Sequence, residues 1–294
     1  MTVVAWASAF SLIHIGLRDL SPLPLAAARF WVAGVIASAW LTAKRPPEPT
    51  LRDGAMFMFC GLIGIALYSA CLNTGQRTVS PGAASFLINC GPIITAFLAT
   101  VFLKERFGIV AWIGSAVALA GVAVIAAGQP GGLQLGAGAS LILLAALCQA
   151  TYFILQRPLV PRYGALASAA YTIIAGALLL SPWLPLALHP LIAAGPRSPA
   201  VLSVLALAIL PSVIGYAAWT YALGVLGAAR AANFLYLVPP VAIAIAVALT
   251  GDVPAWSTIA GGFLAIAGVA IVNLRAKLAP KVPSIDCPKQ MARL

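Results

Sequence analysis

Apolar positions along this chain neither alternate nor recur as a one-sided stripe. They run in blocks of about 20, the length of an α-helix that crosses the hydrocarbon core of a bilayer. The blocks cover 2–17, 24–43, 54–73, 81–103, 108–128, 135–156, 164–188, 200–223, 231–250 and 255–274. Short polar clusters separate them: Lys44-Arg45-Pro46-Pro47-Glu48-Pro49, Lys104-Glu105-Arg106, Arg157 to Arg162, His189-Pro190 to Pro199, and Gly251-Asp252-Val253-Pro254. Continuous runs without period-two alternation exclude a β-barrel. No linker is long enough to divide soluble domains. The first block begins almost at Met1 and has neither a basic leader nor a small-residue cleavage site, so it is read as a retained helix rather than a signal peptide. The expected fold is an all-α integral membrane protein with about ten transmembrane helices.

Composition strengthens this picture. Of 294 residues, 62% are hydrophobic and only 8% charged, against about 25% in a soluble domain. The 26 glycines and 22 prolines are tolerable where neighbouring helices re-satisfy freed backbone groups. The net charge of +11 finds its place in topology rather than in nucleic-acid binding, which would need a basic face on a soluble domain. With both termini cytoplasmic, the inner side of the cytoplasmic (inner) membrane receives 13 of the 17 Lys and Arg residues: Lys44, Arg45, Arg52, Lys104, Arg106, Arg157, Arg162, Arg230, Arg275, Lys277, Lys281, Lys289 and Arg293. Arg18, Arg29, Arg77 and Arg197 fall outside. Arg29 lies near the outer end of the second block, where its long side chain is expected to snorkel to the interface.

The chain also repeats itself. Ala84-Ser85-Phe86-Leu87-Ile88-Asn89-Cys90-Gly91-Pro92-Ile93 aligns without a gap to Ala232-Asn233-Phe234-Leu235-Tyr236-Leu237-Val238-Pro239-Pro240-Val241. The same register pairs Tyr68-Ser69-Ala70 with Tyr216-Ala217-Ala218. After a small gap, Gly114 and Gly121 face Gly261 and Gly268. Two halves follow, 1–128 and 135–275, with a cytoplasmic tail at 276–294. Five crossings is an odd number, so the second half enters the membrane in the opposite sense. Inverted five-helix repeats around a central mid-membrane cavity are the expected architecture, and that is what alternating access requires. Chance likeness between Ala- and Gly-rich helices would leave the matched Tyr, Phe and Pro positions unexplained.

Trp6-Ala7-Ser8-Ala9-Phe10, Gly16-Leu17-Arg18-Asp19-Leu20-Ser21-Pro22, Ala27-Ala28-Arg29-Phe30, Arg77-Thr78-Val79-Ser80-Pro81-Gly82-Ala83-Ala84-Ser85, Pro92 and Lys104-Glu105-Arg106-Phe107 together resemble the EamA-type transporters of the drug/metabolite transporter superfamily. The resemblance spans nearly the whole chain. It implies a ten-helix, inverted five-plus-five fold that exports or exchanges amino acids, nucleobases, drugs or related metabolites, and the chain is similar to bacterial exporters of aromatic amino acids. It departs from the pattern at Gly251-Asp252-Val253, where the second half lacks a full Lys-Glu-Arg-like turn, so identical closing contacts at both gates are not implied.

Helical spacing nominates the cavity lining. Trp6, Phe10 and His14 recur every four residues, Gln149, Tyr152 and Gln156 share a stripe, and Ser85 and Asn89 lie four apart. The repeat adds Tyr68, Tyr216, Trp219, Asn233 and Tyr236. Aromatic walls with a few amides and hydroxyls suit a flat or apolar small molecule. Other readings stay open. Trp6, Tyr68 and Trp219 also fit interfacial belts, the Asn and Gln residues fit helix–helix hydrogen bonds, and His14 fits a bond to a backbone carbonyl. Pro81, Pro92, Pro239 and Pro240 are the expected gating hinges. All six acids fall in expected loops, helix ends or the tail, which argues for facilitated transport or exchange without an intramembrane proton relay. No HExxH, paired intramembrane aspartates, nucleotide loop or CxxC spacing supports an enzyme, a metal or any other cofactor. The alternatives are an exporter of other metabolites or drugs, such as nucleobases or cationic compounds, and, further, a channel or a non-transporting membrane subunit. The expected partners are a small-molecule substrate and the lipid bilayer, with the protein a monomer or homodimer.

Overall fold

The computed structural model describes residues 1–79, 81–127, 136–241 and 256–276, apart from the side chains of 81, 82, 258 and 273–276. Among the described residues the chain is helical throughout, without a strand. Its rods are α1 (Thr2–Gly16), α2 (Pro22–Lys44), α3 (Leu51–Gly75), α4 (Ala83–Phe102), α5 (Ile109–Ala127), α6 (Ala137–Gln156), α7 (Ala165–Ala194), α8 (Pro199–Leu226), α9 (Ala228–Asn233) and α10 (Trp256–Ala276). Seven of these, α2 to α8, are long and apolar enough to cross a membrane, while α1 and Ile259–Val272 are shorter apolar helices. The ninth expected span is described only as far as 241, and Gly251-Asp252-Val253 and the tail beyond 276 lie outside the described residues.

Local chemistry sets the helix ends. Pro22 and Pro199 occupy first turns, where a missing N–H costs nothing. Thr50 and Ser198 cap α3 and α8 by accepting from the N–H groups of Asp53 and Val201. Arg45, at φ 45°, stops α2 just ahead of Pro46-Pro47. One expected loop differs: His189 and Pro190 are helical, because α7 resumes after a 3-10 turn at Ser181–Trp183 and runs to Ala194. The carbonyl that Pro190 leaves unpaired is the kind of defect membrane helices absorb.

Phe97, Ile113, Leu178, Val225 and Phe263 are each more than half exposed. Apolar surface on that scale belongs against lipid, and the protein is a multi-pass membrane protein. Within the bundle, small residues permit close contact. A Cβ on Gly268 would lie 2.5 Å from the Gly114 carbonyl oxygen and one on Gly261 2.5 Å from that of Gly121, so α5 and α10 run antiparallel with their backbones touching.

Candidate functional site

Two rods abandon α-helical hydrogen bonding where they face the same cavity. In α3 a π-helical segment, Leu62–Leu67, ends just before Tyr68; in α8 another, Ala208–Gly215, ends just before Tyr216. Wider turns free backbone carbonyls, and cavity aromatics take two of them. Tyr216 donates its hydroxyl to the Gly64 carbonyl at 2.9 Å, and Trp6 donates its indole N–H to the Pro211 carbonyl at 3.1 Å. Each interaction ties one rod's irregular turn to an aromatic of another rod.

Two further elements are broken outright. α4 is interrupted by a turn at Asn89-Cys90 and restarts at Gly91 with Pro92 in its first turn. α9 passes through a 3-10 segment, Phe234–Leu237, and the chain is helical again from 238 to 241, with Pro239 and Pro240 in its opening turn. The prolines therefore start helices at these breaks rather than bending continuous ones. Pro81 likewise begins the helical run Pro81–Ile88 that precedes the Asn89-Cys90 turn.

The cavity is lined by Trp6, Ala9, Phe10, Ile13, Arg29, Tyr68, Leu72, Ile88, Asn89, Gln149, Pro211, Tyr216, Leu235 and Val238. Both breaks contribute to it, through Ile88 and Asn89 on one side and Leu235 and Val238 on the other. Asn89 donates its side-chain N–H to the Ser85 carbonyl at 2.6 Å, which fixes the orientation of its amide. Behind this wall Trp6 stacks 5.6 Å from Trp219 and 6.2 Å from Phe153, while Trp219 and Phe153 approach to 3.9 Å.

Six expected lining residues are brought together here: Trp6, Phe10, Tyr68, Asn89, Gln149 and Tyr216. The others are placed elsewhere. His14 is exposed, because the cavity-facing positions of α1 are Trp6, Ala9, Phe10 and Ile13. Tyr152 and Trp219 are buried in the aromatic cluster behind the wall, and Trp219 also borders a separate apolar hollow with Val3 and Phe234. Gln156 bridges helices, donating to Thr172 at 3.3 Å and accepting from Thr220 at 3.4 Å. Asn233 accepts from Ser115 at 2.6 Å and donates to the Ala229 carbonyl at 2.7 Å, tying α9 to α5. Ser85 and Tyr236 are buried away from the lining.

Arg29 corrects the sequence reading most sharply. Instead of snorkelling, its side chain is 3% exposed, lines the cavity, and lies 4.5 Å from the centre of the Phe30 ring. A cationic group is thus buried where none was expected. The available signal was a charged residue inside an apolar span, which marks function unless it reaches the interface.

Two carboxylates tie the first part of the chain to the second. Asp53 pairs with Arg162 at 2.9 Å and accepts from the Tyr163 hydroxyl at 2.7 Å. Glu105 faces Arg157 at 3.8 Å and accepts from the backbone N–H groups of Ala228 and Ala229 at 2.9 and 3.0 Å, capping α9. Two backbone features allow this cap. Lys104, at φ 53°, turns the chain after α4, and Gly227, at φ 80°, opens α9 where a Cβ would sit 2.9 Å from the Glu105 carboxylate.

Comparison with known proteins adds context to this geometry. The EamA-like transporter family model matches residues 1–127 and 136–274. The chain is 40% identical over 278 residues, covering 94% of it and 92% of the relative, to a protein of Streptantibioticus cattleyicolor named "Probable terminal-alkyne amino-acid exporter". It is 33% identical over 277 residues, covering 94% and 90%, to "Uncharacterized transporter YdfC" of Bacillus subtilis. A solved crystal structure, 19% identical, shares the fold at a TM-score of 0.73 over 95% of this chain and 98% of that one.

Proposed function

The chain belongs to the EamA-like transporter family, and from that premise we propose that it carries small organic metabolites, foremost aromatic or large apolar amino acids, by alternating access. The observation that carries this reading is the cavity itself: aromatic walls, two side-chain amides and two helix breaks around one space. Discontinuous helices at a shared cavity are the usual construction of a carrier's binding site. The amino-acid exporter among its relatives points to the same substrate class.

The architecture we infer is ten helices in two inverted halves. Several observations support it. The π segments end at the repeat-matched Tyr68 and Tyr216, and the breaks fall at the repeat-matched Pro92 and Pro240. The glycines aligned between the halves meet crosswise, Gly114 with Gly268 and Gly121 with Gly261, as a pseudo-twofold axis between α5 and α10 would have it. The family match divides at the same place. The arginine-rich loops are assigned to the cytoplasmic side of an inner membrane, with both termini there. On that side the Asp53 and Glu105 contacts would have to open for the cavity to face the cytoplasm. Neither these two acids nor any other described acid lines the cavity, which favours exchange or facilitated flux over proton coupling.

Counterflow into proteoliposomes, with a panel of amino acids and nucleobases, tests the reading. An aromatic or large apolar amino acid should exchange fastest and saturate. A nucleobase ranking first would shift the substrate class, and flux far above carrier turnover would indicate a pore. Failure to move any solute would point to a non-transporting subunit.

A further inference from the structure

Arg29 is a buried cation without a carboxylate partner among the described residues. Asp53 is engaged by Arg162, Glu105 by Arg157 and the α9 N-terminus, and Asp19 and Glu48 are exposed with no ion pair to Arg29. Its Nε atom has no hydrogen-bond acceptor among the described residues, and its guanidinium lies over the ring of the neighbouring Phe30. The position is also deep: seven residues from Pro22 at the start of α2, roughly 10 Å along the helix. A guanidinium at such depth is costly unless something pairs with it, and its fork of N–H donors matches a carboxylate in bidentate fashion.

We propose that Arg29 is the receptor for the carboxylate of the carried solute, so that the cavity selects monocarboxylates and zwitterionic amino acids over their amides and amines. This deepens the transporter reading above and rests on it for the identity of the site. The rest of the lining fits such a ligand. Trp6, Phe10 and Tyr68 offer faces to an apolar or aromatic side chain. The Asn89 amide, anchored through its N–H to Ser85, keeps its oxygen for an ammonium group, and Gln149 supplies a second amide. One cation among aromatic walls suits a monoanion better than a phosphate dianion.

The test uses full-length protein and four probes: L-phenylalanine, L-phenylalaninamide, 3-phenylpropanoate and phenethylamine. Each is measured as a competitor in counterflow and by the thermal shift it gives the detergent-purified protein, with chloride replaced by gluconate in a parallel series. The two carboxylates should outcompete the amide and the amine by about tenfold or more, the scale of one charge-assisted pair. Arg29→Gln should abolish that preference, and Arg29→Lys should retain part of it. Should the variants fail to fold, the wild-type probe series decides alone. Equal competition by L-phenylalanine and its amide would overturn the Arg29 assignment while leaving an amino-acid carrier standing. If no probe is transported but the carboxylates alone stabilise, Arg29 stands and the substrate reading falls. Absence of any carboxylate-dependent effect, or a chloride shift as large as the carboxylate shift, overturns the assignment.

Discussion

Gln149 lines the cavity only half-buried, whereas Trp219 is 1% exposed and stacks on Phe153, so alanine at the two positions should give opposite phenotypes. Gln149→Ala is expected to leave thermal unfolding in detergent within about 0.5 kcal/mol of wild type and to weaken half-saturation in counterflow by up to about tenfold. Trp219→Ala is expected to cost about 3–5 kcal/mol and to reduce the folded yield, since it empties a space beside Trp6 and Phe153. Gly215 offers a finer probe. A methyl there would sit 2.5 Å from the Trp6 indole nitrogen, so Gly215→Ala should push the ring off the Pro211 carbonyl. A cost of about 1–3 kcal/mol, with slower transport, is expected; unchanged uptake would show that the Trp6 position does not matter. At this scale the sequence pattern found the aromatic and amide types but could not rank them. His14 and Phe10 lie four apart on one helix, yet only Phe10 faces the cavity, and no spacing rule foretold that Arg29 turns inward rather than towards the interface.

Among the elements, α5 and α10 depend on four glycines, each with a facing glycine carbonyl where a Cβ would need room. Gly121→Leu should force the pair apart at a cost of at least about 1–3 kcal/mol, read as a lower unfolding temperature, while the cavity residues keep their surroundings. The Glu105 cap on α9 makes a different claim. Glu105→Gln retains an acceptor but loses the charge that faces Arg157 and the helix N-terminus, a loss of about 1 kcal/mol. If this contact helps hold the arginine-rich face shut, that side of the cavity should become several-fold more accessible to a thiol reagent probing a cysteine at Gln149. Unaltered labelling would assign the contact to stability alone. The helix breaks were partly legible, because Pro92 and Pro239-Pro240 mark where helices begin. The π segments were not, since they follow from which neighbouring aromatics can collect the carbonyls they release.

For the whole molecule, imposing a pH gradient on sealed proteoliposomes should not drive uphill accumulation, because the described acids sit at helix ends or in loops and none lines the cavity. Accumulation against a gradient would require a proton site that this reading lacks. Impermeant labelling of the two termini should find both on the same face if the proposed ten crossings are right. What the amino-acid sequence determined by itself was the solvent: blocks of apolar residues as long as a bilayer is thick leave a chain no other stable home. It also carries the matched Tyr, Pro and Gly positions on which the proposed repeat rests. What only tertiary packing decided is which side of each helix meets the cavity. In a bilayer the outward and inward faces of a helix are both apolar, so the periodicity that orients a soluble helix is nearly silent here. Neighbouring backbones, brought close at glycines and tied at freed carbonyls, settle the rotation instead, and with it the burial of Arg29.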